Sequence, residues 1–139
     1  MTKGYTLEEI TIGQSVEVTK VVTQEDVQAF ADLTGDHNPV HLDPEFAATT
    51  QFEKPIAHGM LGAGLISAAI ASELPGPGSI YLEQSLKFRA PVFAGAEVVT
   101  RITVLEKDER RRRVTLKTEC LCADTVVIKG EASIMIPKS

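Results

Sequence analysis

The chain has 139 residues and a formal net charge of -5, a length that suits one domain built around one core. Hydrophobic residues make up 43% and charged residues 24%, which excludes a disordered or fibrous chain. The lack of a basic excess argues against a nucleic-acid partner.

The first predicted strand is Ser15-Val-Glu-Val-Thr-Lys-Val-Val22, where Val16, Val18 and Val22 alternate with polar residues and leave one face wet. Thr23-Gln-Glu-Asp26 is close to a capping box, and Val27, Phe30 and Ala31 follow at helical spacing. Gly35 ends this helix. A tight polar segment, Asp36-His-Asn-Pro-Val-His41, comes next. Asp43 and Pro44 then open a second short helix as N-cap and first helical residue.

A loop from Gln51 to His58 leads to Gly59, and the following turns are apolar on every side up to Leu74. Such a helix must be covered all round. Its most apolar part, Met60 to Ile70, is well short of the roughly 20 residues a bilayer requires, so no membrane partner is expected. Pro75-Gly-Pro-Gly78 stops the helix.

The remainder reads as four strands: Ser79 to Ala90, Ala96 to Lys107, Arg113 to Cys122 and Val126 to Ile136. Four successive hairpin-connected strands imply an antiparallel sheet, and the apolar helix needs that sheet to curl around it. The fold class is α+β. Cys120 and Cys122 lie two apart in one strand, too cramped for an ordinary structural disulfide. With no secretory signal ahead of Gly4, a reducing cytoplasm is the expected compartment.

Asp36, His37, Asn38 and His41 gather a carboxylate, an amide and two imidazoles within six residues. A carboxylate and an imidazole in one short loop can grip a single water and move its protons. Adding water to an enoyl thioester requires a base for that water, an acid for the α-carbon and donors for the developing enolate oxygen. Asp36 and His41 can supply acid and base in either order, and Asn38 can orient the water or the substrate. His58-Gly59 precedes the apolar helix, whose free N-terminal N–H groups favour negative charge. Gly59 would let a thioester oxygen approach the backbone.

Structural readings stand beside these. Asp-x-Asn-Pro is an ordinary turn signature, His58 suits a packing role, and Gly59 suits close packing. His37, His41 and Asp43 could ligate a metal, but neither a His-Glu-x-x-His helix nor a cysteine pair accompanies them. Ser67, inside the apolar helix, is expected to bond its own i−4 carbonyl and is a lesser candidate for substrate contact. Arg110-Arg-Arg-Arg113 reads as a solvated hairpin tip. Lys87 and Arg89, on one face of a strand, are better placed for phosphate groups.

Gly35-Asp-His-Asn-Pro-Val-His-Leu-Asp-Pro44, followed by Phe52-Glu-Lys-Pro-Ile-Ala-His-Gly-Met60, resembles the (R)-specific enoyl-CoA hydratases of the MaoC-like dehydratase family. The likeness is to the short bacterial type that supplies (R)-3-hydroxyacyl-CoA for polyhydroxyalkanoate synthesis. It continues through Pro75 to Tyr81 and Gln84 to Val92. The resemblance implies a hot-dog domain acting as a homodimer, with an acyl-CoA tunnel near the subunit interface. It implies Asp36 and His41 as the catalytic pair, Asn38 as an orienting residue and Gly59 as the oxyanion-hole N–H. The implied product is the (R)-alcohol. No cofactor is expected, because CoA arrives as part of the substrate. A hot-dog thioesterase and a non-catalytic acyl-thioester-binding module are the competing readings.

Overall fold

The computed structural model describes residues 3–138. A short 3-10 turn, Leu7–Glu9, precedes strand β1 (Ser15–Val21). Three helices follow, α1 (Gln24–Thr34), α2 (Pro39–Leu42) and α3 (Pro44–Ala48), and then the longer α4 (Gly59–Ser72). The chain ends in β2 (Ile80–Gln84), β3 (Lys87–Phe88), β4 (Glu97–Asp108), β5 (Arg113–Cys122) and β6 (Thr125–Met135). The strands form one antiparallel sheet in the order β1-β4-β5-β6-β2, with β3 also on β6.

The sheet buries one face. Val98, Thr100, Ile102 and Val104 alternate inward along β4, as do Val114, Leu116, Thr118 and Cys120 along β5. Helix α4 lies on this face through Leu61, Ile66 and Ile70. Gly62 is what lets it lie so close, since a β-carbon there would overlap the Ile128 side chain. Leu7, Ile10 and Leu74 are buried in the same core. Ala123 and Asp124, both at positive φ, form the tight turn of the β5–β6 hairpin.

The α+β expectation holds, and four details of it change. The strand expected over Ser79 to Ala90 is two strands, β2 and β3, which pair with β6 in one register from Glu83 onward and are interrupted where Ser85 presses on Gly130. A β-carbon on Gly130 would overlap the Ser85 carbonyl, and Ser85 donates its N–H to the Glu131 carbonyl while its Oγ accepts from the Glu131 N–H. Only β4, β5 and β6 are hairpin-connected; β2 runs to the far edge and pairs with β6. The polar segment after Gly35 contains a helical turn, α2, which Asn38 caps by accepting from the Val40 N–H. Finally, α4 is not covered all round within one chain. Met60 is 57% exposed, and Gly64, Ala68 and Ala71 are exposed with it.

Candidate active site

The loop between α1 and α2 begins with a cap. Gly35, at φ 83°, closes α1 by donating its N–H to the Ala31 carbonyl, in a left-handed conformation that glycine adopts without strain. Asp36 then folds back: its N–H donates to Thr34 Oγ1 at 3.2 Å, and its Oδ1 accepts from the Asn38 N–H at 3.3 Å. The turn reading therefore holds. Among the described residues Asp36 Oδ2 accepts no hydrogen bond, and the carboxylate is exposed.

His41, on α2, is buried and donates Nδ1–H to the Ile56 carbonyl at 2.7 Å. A carbonyl only accepts, so this bond fixes the tautomer and leaves Nε2 bare in the neutral ring. His58, the N-cap of α4, is 3% exposed and donates Nε2–H to the Asp36 backbone carbonyl at 3.0 Å. Its Nδ1 is buried without a partner. The two imidazoles stack at 3.9 Å between centroids with 29° between planes, and Phe30 sits 4.7 Å from the other ring, that of His58.

Asp36, His41 and His58 each present one donor atom within 4.8 Å of the others. Side chains at that spacing are close enough for one water, at about 2.8 Å from a partner atom on each, to lie between them. A metal fits less well. Zinc binds imidazole nitrogen at about 2.0–2.1 Å, along the lone pair in the ring plane. One nitrogen of each ring is already committed to a backbone carbonyl, and the rings lie stacked at 3.9 Å with planes 29° apart. The metal set read from sequence is not assembled: His37 pairs with Asp32 at 3.1 Å, and Asp43 caps α3 through the Glu45 N–H at 2.9 Å.

Beside this pair lies a cavity of about 490 Å³. His58, Gly59 and Arg89 line it together with the apolar side chains of Leu61, Leu65, Phe88, Val98 and Ile128. Asp36 and His41 are not in its lining, so His58 and Gly59 are the residues that join the cavity to the loop carrying them. The N–H groups of Gly59 and Met60 open α4 and have no acceptor within the helix. Gly59 is also a packing glycine, because a β-carbon there would meet Phe88 Cε1 at 2.7 Å.

Ser67 is half-buried on α4, about two turns beyond Gly59, and does not line the cavity. Arg112 is held at the far hairpin by the Ile136 carbonyl and by Glu8. Arg89 thus becomes the basic residue at the cavity. Sequence reasoning missed Cys120, which lines the cavity with its thiol directed at the Gly62 carbonyl, 3.7 Å away. Burial pushes that thiol up to about 11. It also left His58 with a packing role; the signal that could have promoted it was its place beside Gly59.

Residues 8–124 match the family model described as a MaoC like domain. An (R)-specific enoyl-CoA hydratase of Rhodospirillum rubrum is 47% identical over 130 residues, covering 94% of this chain and 90% of that protein. The (R)-hydratase from A. caviae involved in PHA biosynthesis superposes with a TM-score of 0.91 at 44% identity, covering 94% of this chain and 99% of that one. R-hydratase PhaJ1 from Pseudomonas aeruginosa, in the unliganded form, gives 0.93 at 47% identity, covering 98% and 88%. The sheet on its central helix is the hot-dog fold of these hydratases. This chain belongs to the MaoC-like dehydratase family.

Proposed function

We propose that the chain is a hydro-lyase that adds water reversibly to a trans-2-enoyl-CoA, giving the (R)-3-hydroxyacyl-CoA. One observation carries the reading. A carboxylate and two imidazoles, each with one ligand atom within 4.8 Å of the others, lie next to a helix N-terminus that opens on an apolar cavity. The relatives named as (R)-specific enoyl-CoA hydratases support the choice of reaction and of stereochemistry.

The chemistry follows from the free atoms. Water bridges Asp36 and His41, its oxygen attacks C3 of the enoyl group, and one of its protons passes to the pair. Negative charge moves onto the thioester oxygen, where the Gly59 N–H and the α4 dipole stabilise it. The pair returns a proton to C2 on the same face, so addition is syn. Asn38, whose carbonyl oxygen caps α2, keeps its amide N–H groups to orient water or substrate. Arg89 is the candidate for the CoA phosphates, and Ser67 is given no step.

We take the working unit as a homodimer. The open face of α4 and the exposed Ile80, Tyr81 and Leu82 of β2 support a second copy there, and light scattering of the purified protein tests it. No helix of the described residues is long and apolar enough to cross a membrane, and two free thiols suit a reducing compartment such as the cytoplasm. Crotonyl-CoA tests the reaction. Loss of the enoyl absorbance without thiol release supports hydration; thiol release with the enoyl group intact indicates a thioesterase.

A further inference from the structure

The segment Ile56–His58 forms a splint along the loop that carries Asp36 and His41. Ile56 donates its N–H to the Val40 carbonyl at 3.2 Å and accepts from His41 Nδ1 at 2.7 Å. His58 Nε2 donates to the Asp36 carbonyl at 3.0 Å. The splint itself is fixed to the chain before β4, through Ala57 N–H on the Val92 carbonyl and a bridge from Ile56 to Phe93. Every other hydrogen bond to residues 35–38 among those described comes from within six residues along the chain. The bond from His58 reaches across 22 residues.

From this geometry we propose that His58 is a positioning residue: its Nε2–H holds Asp36 by the backbone carbonyl while its ring backs the His41 imidazole. The inference rests on the hydratase reading for what is being positioned. Packing alone does not account for an imidazole at this place. A phenylalanine would fill the same space between Phe30 and His41 without a buried nitrogen that has no partner, and an unsatisfied buried polar atom is destabilising. The worth of the ring therefore lies in its other nitrogen, the donor to Asp36. That donor fixes the distance between carboxylate and imidazole, on which sharing one water depends.

The test compares wild type, His58→Ala, His58→Gln and His58→Phe in crotonyl-CoA hydration, with rates normalised to folded protein. A glutamine amide can donate to the Asp36 carbonyl, whereas phenylalanine preserves only the stack. The expected result is a fall in kcat on the order of 10- to 100-fold in the alanine and phenylalanine variants, with KM within about twofold of wild type. His58→Gln keeps more kcat than either. Amide hydrogen exchange of Asp36, His37 and Asn38 in the free protein gives a readout independent of turnover. It should quicken in the alanine and phenylalanine variants and stay near wild type in the glutamine variant.

Wild-type kcat and exchange in His58→Phe, or a loss confined to KM, would overturn the proposal. Should His58→Ala not fold, the glutamine and phenylalanine variants decide it between them. Should wild type itself fail to hydrate the enoyl thioester, the functional reading falls, and the exchange measurement alone decides the role of His58.

Discussion

The meander β4–β5–β6 and the segment from Gly35 to His58 both serve the cavity, and they are held in opposite ways. In the meander, order comes from long antiparallel ladders and from inward side chains such as Ile102, Leu116 and Ile134, each fully buried. In the loop, order comes from polar side chains that close the backbone locally. There, three polar residues each commit one atom to the backbone and leave another free. Asp36 turns the chain with Oδ1 and keeps Oδ2; Asn38 caps α2 with Oδ1 and keeps its amide; His41 anchors through Nδ1 and keeps Nε2. Substitutions in the meander should therefore change stability, and substitutions in the loop should change turnover.

The largest expected effect sharpens that division. Asp36→Asn and His41→Ala should each lower kcat by about 10²- to 10⁴-fold while the protein stays folded, with the melting transition of Asp36→Asn near that of wild type; steady-state kinetics beside circular dichroism melts check both halves. In the meander, Leu116→Ala should lower unfolding free energy by about 2–5 kcal/mol and leave kcat per folded molecule unchanged, as denaturant titration and active-site-normalised rates would show. An equal loss of turnover there would break the comparison.

Gly59, at the start of α4, lies between the two regions, and a double-mutant cycle separates its packing from its N–H. Gly59→Ala keeps the N–H but drives a β-carbon into the Phe88 ring, so its activity loss should be relieved by Phe88→Ala, with a coupling of about 0.5–3 kcal/mol. At Asn38 the cap and the amide can be parted. Asn38→Ala should destabilise by about 1 kcal/mol and Asn38→Ser by much less, yet both should lose the same turnover because both lack the amide. The smallest effect concerns Cys120. Its thiol is raised from an ordinary value of 9.0 to about 11, so folding favours the protonated form. That stabilisation is complete below pH 9 and is lost as pH rises through about 11. Cys120 should resist alkylation at pH 8 in the native protein and label readily in denaturant.

How much of this was legible in the sequence follows the same division. Local signals read true: Thr23 and Asp26 form the capping box, Gly35 is the left-handed cap, Asp43 and Pro44 open α3, and β5 spans Arg113–Cys122 as expected. Features set by distant partners did not. The break between β2 and β3 depends on Gly130, 45 residues past Ser85. The place of β2 beside β6 is set by pairing across the whole sheet, which alternation cannot encode. The packing of Leu7 and Ile10 into the core went unread for the same reason. Within the site, Asp36 and His41 stood out because they share one short loop. The part of His58 was hidden because its bond to Asp36 spans 22 residues and its stacking on His41 exists only in the folded chain.

The central claim is that Asp36 and His41 share one water and deliver it to an enoyl thioester. Its most direct test is crotonyl-CoA hydration by wild type and Asp36→Asn, with the product resolved by chirality. The account predicts that wild type consumes the enoyl absorbance without releasing thiol and yields (R)-3-hydroxybutyryl-CoA. It predicts that Asp36→Asn, folded as wild type, loses about 10²- to 10⁴-fold in rate. Thiol release by the wild-type protein, or a folded Asp36→Asn variant turning over at the wild-type rate, would contradict it.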